Sequence, residues 1–129
     1  MANPTMVAID DEREFTRTID QFFSARGFTV HVAMTGTSGL ELVMYHKPDV
    51  VLVDLKLPGM DGDEVLQAIK KDYPATKVIV ITAYNDGGKT RDRLLALGAF
   101  AHFDKPISSL RDLFATVQKA VGAFPPATP

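Results

Sequence analysis

Cysteine and tryptophan are both absent from the 129 residues. Without cysteine there is no disulfide framework, no thiolate nucleophile and no sulfur-ligated metal site, and the lack suits a reducing cytosol. Neither sign of charge dominates: 14 basic residues stand against 16 acidic ones, a net of −2. That balance offers no general attraction for nucleic acid or an anionic membrane, and no helical stretch carries a basic recognition face. No apolar run approaches the ~18 residues of a membrane-spanning helix. Met1 to Pro4 lead straight into an apolar strand-like run, not a secretory leader. A cytoplasmic protein is the expectation, with no direct nucleic-acid partner and no membrane partner.

What is present alternates between two periods. Apolar runs rich in strand formers occupy Thr5–Ile9, Phe28–Ala33, Asp49–Asp54, Lys77–Thr82 and Phe100–Phe103. Between them, apolar residues recur at helical spacing: Phe15, Ile19, Phe22 and Phe23; then Leu40, Val43 and Met44; then Val65, Leu66 and Ile69; then a helix around Arg91–Leu97; and last Leu110, Leu113, Phe114, Val117 and Val121. Gly27 and Gly98 read as helix ends, Thr35 or Thr37 and Ser108 or Ser109 as N-caps, and Leu57 to Gly62 as a loop dense in turn formers. Five β/α units with right-handed crossovers make a three-layer α/β sandwich around a parallel sheet. Residues 1–122 form one domain of this kind. Residues 123–129, with Pro125, Pro126 and Pro129, cannot continue a helix and read as a Pro-rich tail or a truncated linker.

Four strand ends turn polar where a buried strand should stay apolar: Asp10-Asp11 after Ile9, Asp54 after Val53, Thr82 after Ile81, and Asp104-Lys105-Pro106 after Phe103. In an open parallel sheet, ligands bind beyond the carboxyl ends of the strands. Carboxylates, a hydroxyl and an ammonium therefore converge on one edge. A carboxylate can attack phosphorus and carry the group as a mixed anhydride, and phosphoryl transfer chiefly needs positioning and neutralisation of oxygen charge. Asp54 is the candidate nucleophile. Asp10 and Asp11 suit Mg²⁺, a hard cation that keeps several waters. Lys105 offers a point charge and Thr82 a donor to phosphoryl oxygens. Taken singly each piece is ordinary: carboxylates favour helix starts, Asp favours turns, and Thr favours strands. Their joint occurrence on successive strand ends is not.

Ile9-Asp10-Asp11-Glu12, the run from Val53 through Asp54 to Gly62, Ile81-Thr82-Ala83, Gly98-Ala99 and Lys105-Pro106 together resemble the receiver domain of two-component response regulators, over residues 5 to 121. The resemblance implies a flavodoxin-like, five-stranded parallel sheet of order 2-1-3-4-5 flanked by five helices. It implies that Asp54 accepts a phosphoryl group from a phosphohistidine on a sensor histidine kinase or a histidine phosphotransfer protein. It assigns Mg²⁺ to Asp11, Asp54 and the Lys56 carbonyl, with Asp10 acting through water, and a cis peptide to Lys105-Pro106. Thr82 would move toward the phosphoryl group and report it. The chain would catalyse only its own phosphorylation and dephosphorylation, and would signal to an effector through the face formed by helix 4, strand 5 and helix 5.

The switch position three residues before the lysine, usually Tyr or Phe in receivers, holds His102. It reads either as a half-buried imidazole on an edge strand or as a switch that also titrates. Lys56, Ala83 and Tyr84 line the rim, where a bulky Tyr84 would slow hydrolysis. Lys56, Tyr84 and His102-Phe103 together resemble stand-alone phosphorelay receivers. Alternatives are a receiver cut from a larger regulator with an output domain, a phosphate-independent binding module on the same fold, an aspartyl phosphohydrolase, and a nucleotide-binding module. The third would need an Asp where Lys56 stands, and the fourth a glycine-rich loop after strand 1. Helix 1 has more apolar residues than one stripe needs, which leaves Phe22 as core or as a kinase contact. Leu94-Leu95-Ala96-Leu97 raises the same question for helix 4. His31 and His46 have no partner at metal-ligand spacing and read as structural or solvated.

Overall fold

The computed structural model describes residues 3–83 and 86–122; Tyr84 and the tail 123–129 lie outside the described residues. Strands β1 (Thr5–Ile9), β2 (Thr29–Ala33), β3 (Val50–Asp54), β4 (Lys77–Thr82) and β5 (Ala101–Asp104) alternate with helices α1 (Arg13–Ser24), α2 (Gly36–His46), α3 (Gly62–Asp72), α4 (Lys89–Ala96) and α5 (Leu110–Ala120). All strand pairs are parallel, in the order β2-β1-β3-β4-β5. The expected doubly wound sheet is the one observed.

Alternation along β1 sorts the two cores. Val7 and Ile9 face a cluster with Val43, Val65, Leu66, Ile69 and Leu94 from α2, α3 and α4. Met6 and Ala8 face Ile19, Phe23, Leu113 and Val117 from α1 and α5. β3 lies between β1 and β4 and every residue of it is buried, which explains an apolar run without alternation. Phe22 is half-buried: its ring packs edge-on against Phe23 and Phe114, and the Arg26 guanidinium sits 3.6 Å over it. In α4, Leu94 is fully buried while Leu95 is 40% exposed.

The caps follow the turn chemistry. Thr35, not Thr37, accepts from the Ser38 N–H, and Ser109, not Ser108, accepts from the Asp112 N–H. Gly27 and Gly98 adopt positive φ beyond α1 and α4. Some boundaries differ from the sequence expectation. Gly62 belongs to α3 and not to the preceding loop, because Asp61 is the N-cap and Glu64 reaches back to accept its N–H at 3.0 Å. α4 begins at Lys89, where Asp86 accepts from both the N–H and the hydroxyl of Thr90. β5 is displaced by one residue, with Phe100 left 38% exposed.

Candidate functional site

The carboxyl ends of β1, β3, β4 and β5 do bring their polar residues together. Asp10 is 1% exposed, Asp54 8% and Thr82 1%. Asp10 Oδ1 accepts the Glu12 N–H at 2.8 Å, and Asp54 Oδ1 accepts the Lys56 N–H at 3.2 Å. Each carboxylate is thus held by the chain two residues on. Lys105 enters from the far end of the chain after β5. Its N–H donates to the Thr82 carbonyl at 2.9 Å, and the Lys105–Pro106 peptide is cis. Its ammonium lies 2.6 Å from Asp10 Oδ2 and donates to Asp54 Oδ2 at 3.2 Å. It also donates to Glu12 Oε1 and sits 4.6 Å from the centre of the Phe15 ring.

Lys105 is the counter-ion of the whole cluster. Burial works to lower its pKa, but the bonds to Asp10 and Glu12 and the charges of Asp10 and Asp54 outweigh it and hold the ammonium above its ordinary range. For Asp10 burial is the largest influence and raises the carboxyl above its usual range. The Lys105 ammonium and the Glu12 N–H oppose this, and the Asp54 charge adds to it.

Oxygens of Asp10, Glu12 and Asp54 fall within 4.8 Å of one another. Asp11 is exposed and lines the mouth of the same cavity, about 560 Å³, with Glu12, Asp54, Lys56, Thr82, Ala83 and Lys105. Glu12 was matched as part of the Ile9-Asp10-Asp11-Glu12 run but not assigned to the site. Its only signal was its place directly after the acidic pair, and its reach to Lys105 depends on a contact 93 residues away. A second groove, about 520 Å³ and largely apolar, shares Glu12, Ala83 and Lys105 with this cavity and runs past Phe15 and Thr18 to Pro106, Ile107 and Leu110. Phe15, part of the apolar repeat of α1, is half-buried and forms part of this wall.

His102 sits opposite Val80 on the edge strand β5, on the α4 side of the sheet. Its side chain is 8% exposed, and among the described residues the buried Nε2 makes no hydrogen bond; Asp104 Oδ1 is 3.9 Å away. His31 and His46 stack on each other, with centroids 3.6 Å apart and planes 10° apart.

The family model described as the response regulator receiver domain matches residues 6–118. The chain is a receiver domain. It is 34% identical over 114 residues to sporulation initiation phosphotransferase F of Bacillus subtilis (strain 168), covering 87% of this chain and 91% of that one. It is 35% identical over 116 residues to regulatory protein AtoC of Escherichia coli (strain K12), covering 90% of this chain but only 25% of AtoC. Among solved structures, a CheY-like receiver domain protein from Methanospirillum hungatei JF-1 superposes with a TM-score of 0.86 at 27% identity, covering 93% of this chain and 94% of that one. A receiver domain protein from Clostridium thermocellum gives 0.80 at 30% identity, with coverage of 92% and 94%. Receiver domains of this family are phosphoacceptors in two-component signalling, bind Mg²⁺ at an acidic pocket, and interact with histidine kinases or phosphotransfer proteins. Among the described residues no helix is long and apolar enough to cross a membrane.

Proposed function

We propose that Asp54 is the phosphoacceptor of this receiver. An Asp54 oxygen forms a bond to phosphorus as the phosphorus–nitrogen bond of a donor phosphohistidine breaks, and the departing imidazole keeps the electron pair and takes a proton. The observation that carries the reading is the gathering of one ammonium, from Lys105, with Asp54 and Asp10 at three separate strand ends. Lys105 supplies positive charge where phosphoryl oxygens would collect, and Thr82 supplies the hydroxyl that responds to them. Thr82 and His102 are the switch pair, and Lys56 and Ala83 border the opening through which water reaches Asp54.

The donor set fits Mg²⁺. Its members are three carboxylates and one backbone carbonyl, all oxygen donors of the hard kind that this ion prefers, and among the described residues the buried Asp10 Oδ2 has no aligned hydrogen bond. Asp10, Asp11 and Asp54, with the Lys56 carbonyl, are the residues that would hold it. When bound it supplies charge neutralisation at the phosphoryl oxygens. The apolar groove beside the cavity offers a phosphodonor protein a seat next to Asp54. Leu95 and Phe100, 40% and 38% exposed, mark the α4–β5–α5 face proposed for an effector. Residues 1–122 are the unit that carries this chemistry, and the domain catalyses only its own phosphorylation and dephosphorylation.

Intact mass after incubation with Mg²⁺ and acetyl phosphate tests the reading. One phosphoryl group is expected on wild type and none on Asp54→Asn. An adduct of equal size on both, or none on wild type while donor remains, would refute the assignment.

A further inference from the structure

Glu12 occupies the N-cap of α1, yet its side chain makes no capping hydrogen bond. It is turned instead to the Lys105 ammonium. That ammonium therefore faces three carboxylates: Asp10 at 2.6 Å, Asp54 at 3.2 Å, and Glu12. A lysine has three N–H donors and no more. Two of them are donated, to Glu12 and Asp54, and the ammonium is held against Asp10 at 2.6 Å. A phosphoryl group arriving on Asp54 must compete with carboxylates that already surround Lys105, and one existing contact must give way.

The three contacts are not equally easy to release. The Asp10 side chain is 2% exposed, and among the described residues its Oδ2 has no aligned hydrogen bond, so losing the ammonium would strand a buried charge. Asp54 is the group being modified. The Glu12 side chain is 63% exposed, so water replaces the ammonium there at little cost. Glu12 also stands on the wall shared with the apolar groove, which gives its side chain room to swing.

We propose, on the reading that Asp54 is the acceptor, that Glu12 is a positioning residue that occupies one Lys105 donor at rest and cedes it to the phosphoryl oxygens. Its carboxylate thus competes with the phosphoryl group for Lys105 and slows phosphorylation.

The test is a double-mutant cycle on the full chain, with acetyl phosphate at saturating Mg²⁺ and the Asp54 adduct followed by intact mass. Glu12→Gln is expected to accelerate labelling by about three- to tenfold in wild type and by less than about twofold in a Lys105→Met background. Equal acceleration in both backgrounds would mean that Glu12 merely repels the anionic donor, and would overturn the proposal, as would no acceleration or a slowing. A fall of tenfold or more in Mg²⁺ affinity on Glu12→Gln would also overturn it by making Glu12 a cation ligand. If Lys105→Met does not label at all, the ¹⁵N ammonium resonance of Lys105, assigned by its loss in that variant, decides: it is expected to shift in Glu12→Gln, and an unchanged resonance refutes the contact. Absence of an adduct on wild type removes the underlying reading. An adduct lost in Asp54→Asn but indifferent to Glu12 removes this inference alone.

Discussion

Replacing Gly62 by alanine separates helix propensity from the packing that holds Asp54. Gly62 opens α3, and its N–H donates to the Leu55 carbonyl at 2.7 Å. A Cβ there would lie 2.3 Å from the Asp54 carbonyl oxygen and 2.7 Å from Leu55 Cα. Both obstructing atoms are backbone, so no side chain can move aside. Alanine in a helix gains about 1 kcal/mol over glycine, whereas overpacking at backbone costs about 3 kcal/mol, the upper part of its usual range. The net is a loss of about 2 kcal/mol, or about 8 °C in Tm for a domain of this size. The strain falls on Asp54, the proposed acceptor, and on that reading a displacement there slows phosphorylation by about ten- to a hundredfold. Thermal unfolding by circular dichroism and adduct formation with acetyl phosphate measure the two effects. Gly59→Ala is the control: φ is +81° and nothing lies within 4 Å of its Cβ. It should lose about 1 kcal/mol from backbone strain and leave labelling unchanged. A Tm for Gly62→Ala equal to or above wild type, with normal labelling, would refute the reasoning.

Burial and the charge of His46 hold His31 below the ordinary 6.5, with Asp20 opposing. The unfolded chain therefore takes up this proton first, and stability present above about pH 6.5 is lost as the pH falls. Urea unfolding of His31→Gln should show a shallower loss between pH 6.5 and about 5 than wild type, and coincident profiles would contradict it. Thr35→Ala removes the acceptor for the Ser38 N–H and should cost about 1 kcal/mol in urea unfolding. Thr37→Ala removes no cap and should cost less than about 0.5 kcal/mol.

The sheet and most of the site were legible because they rest on local pattern. An apolar run that ends on Asp54 or Thr82 announces both a buried strand and a polar group at its carboxyl end. What escaped depends on contacts between distant elements. The pairing of Glu12 with Lys105 needs β1 and β5 placed with β3 and β4 between them, and Glu12 at the start of a helix looks like an ordinary first-turn acid. The His31–His46 stack arises because β2 pairs in register with β1, which places His31 opposite Val7 and on the α2 side. No spacing along the chain reveals it. Gly62 was read as loop because glycine is a turn signal, and the Asp61–Glu64 interaction overrode that preference.

The strands that carry the site differ in how firmly they are anchored. β3 is hydrogen-bonded on both sides and buried throughout, whereas β5 has a single neighbour, four residues and no fully buried side chain. Local opening of the native state should therefore begin at β5 and reach β3 last. Amide hydrogen exchange would show the segment leading to Lys105 exchanging well before Asp54. The lysine can then be withdrawn from the cluster by a partial opening of the sheet edge while Asp54 stays in place, so that the charge around that carboxylate is adjustable without unfolding the domain that holds it.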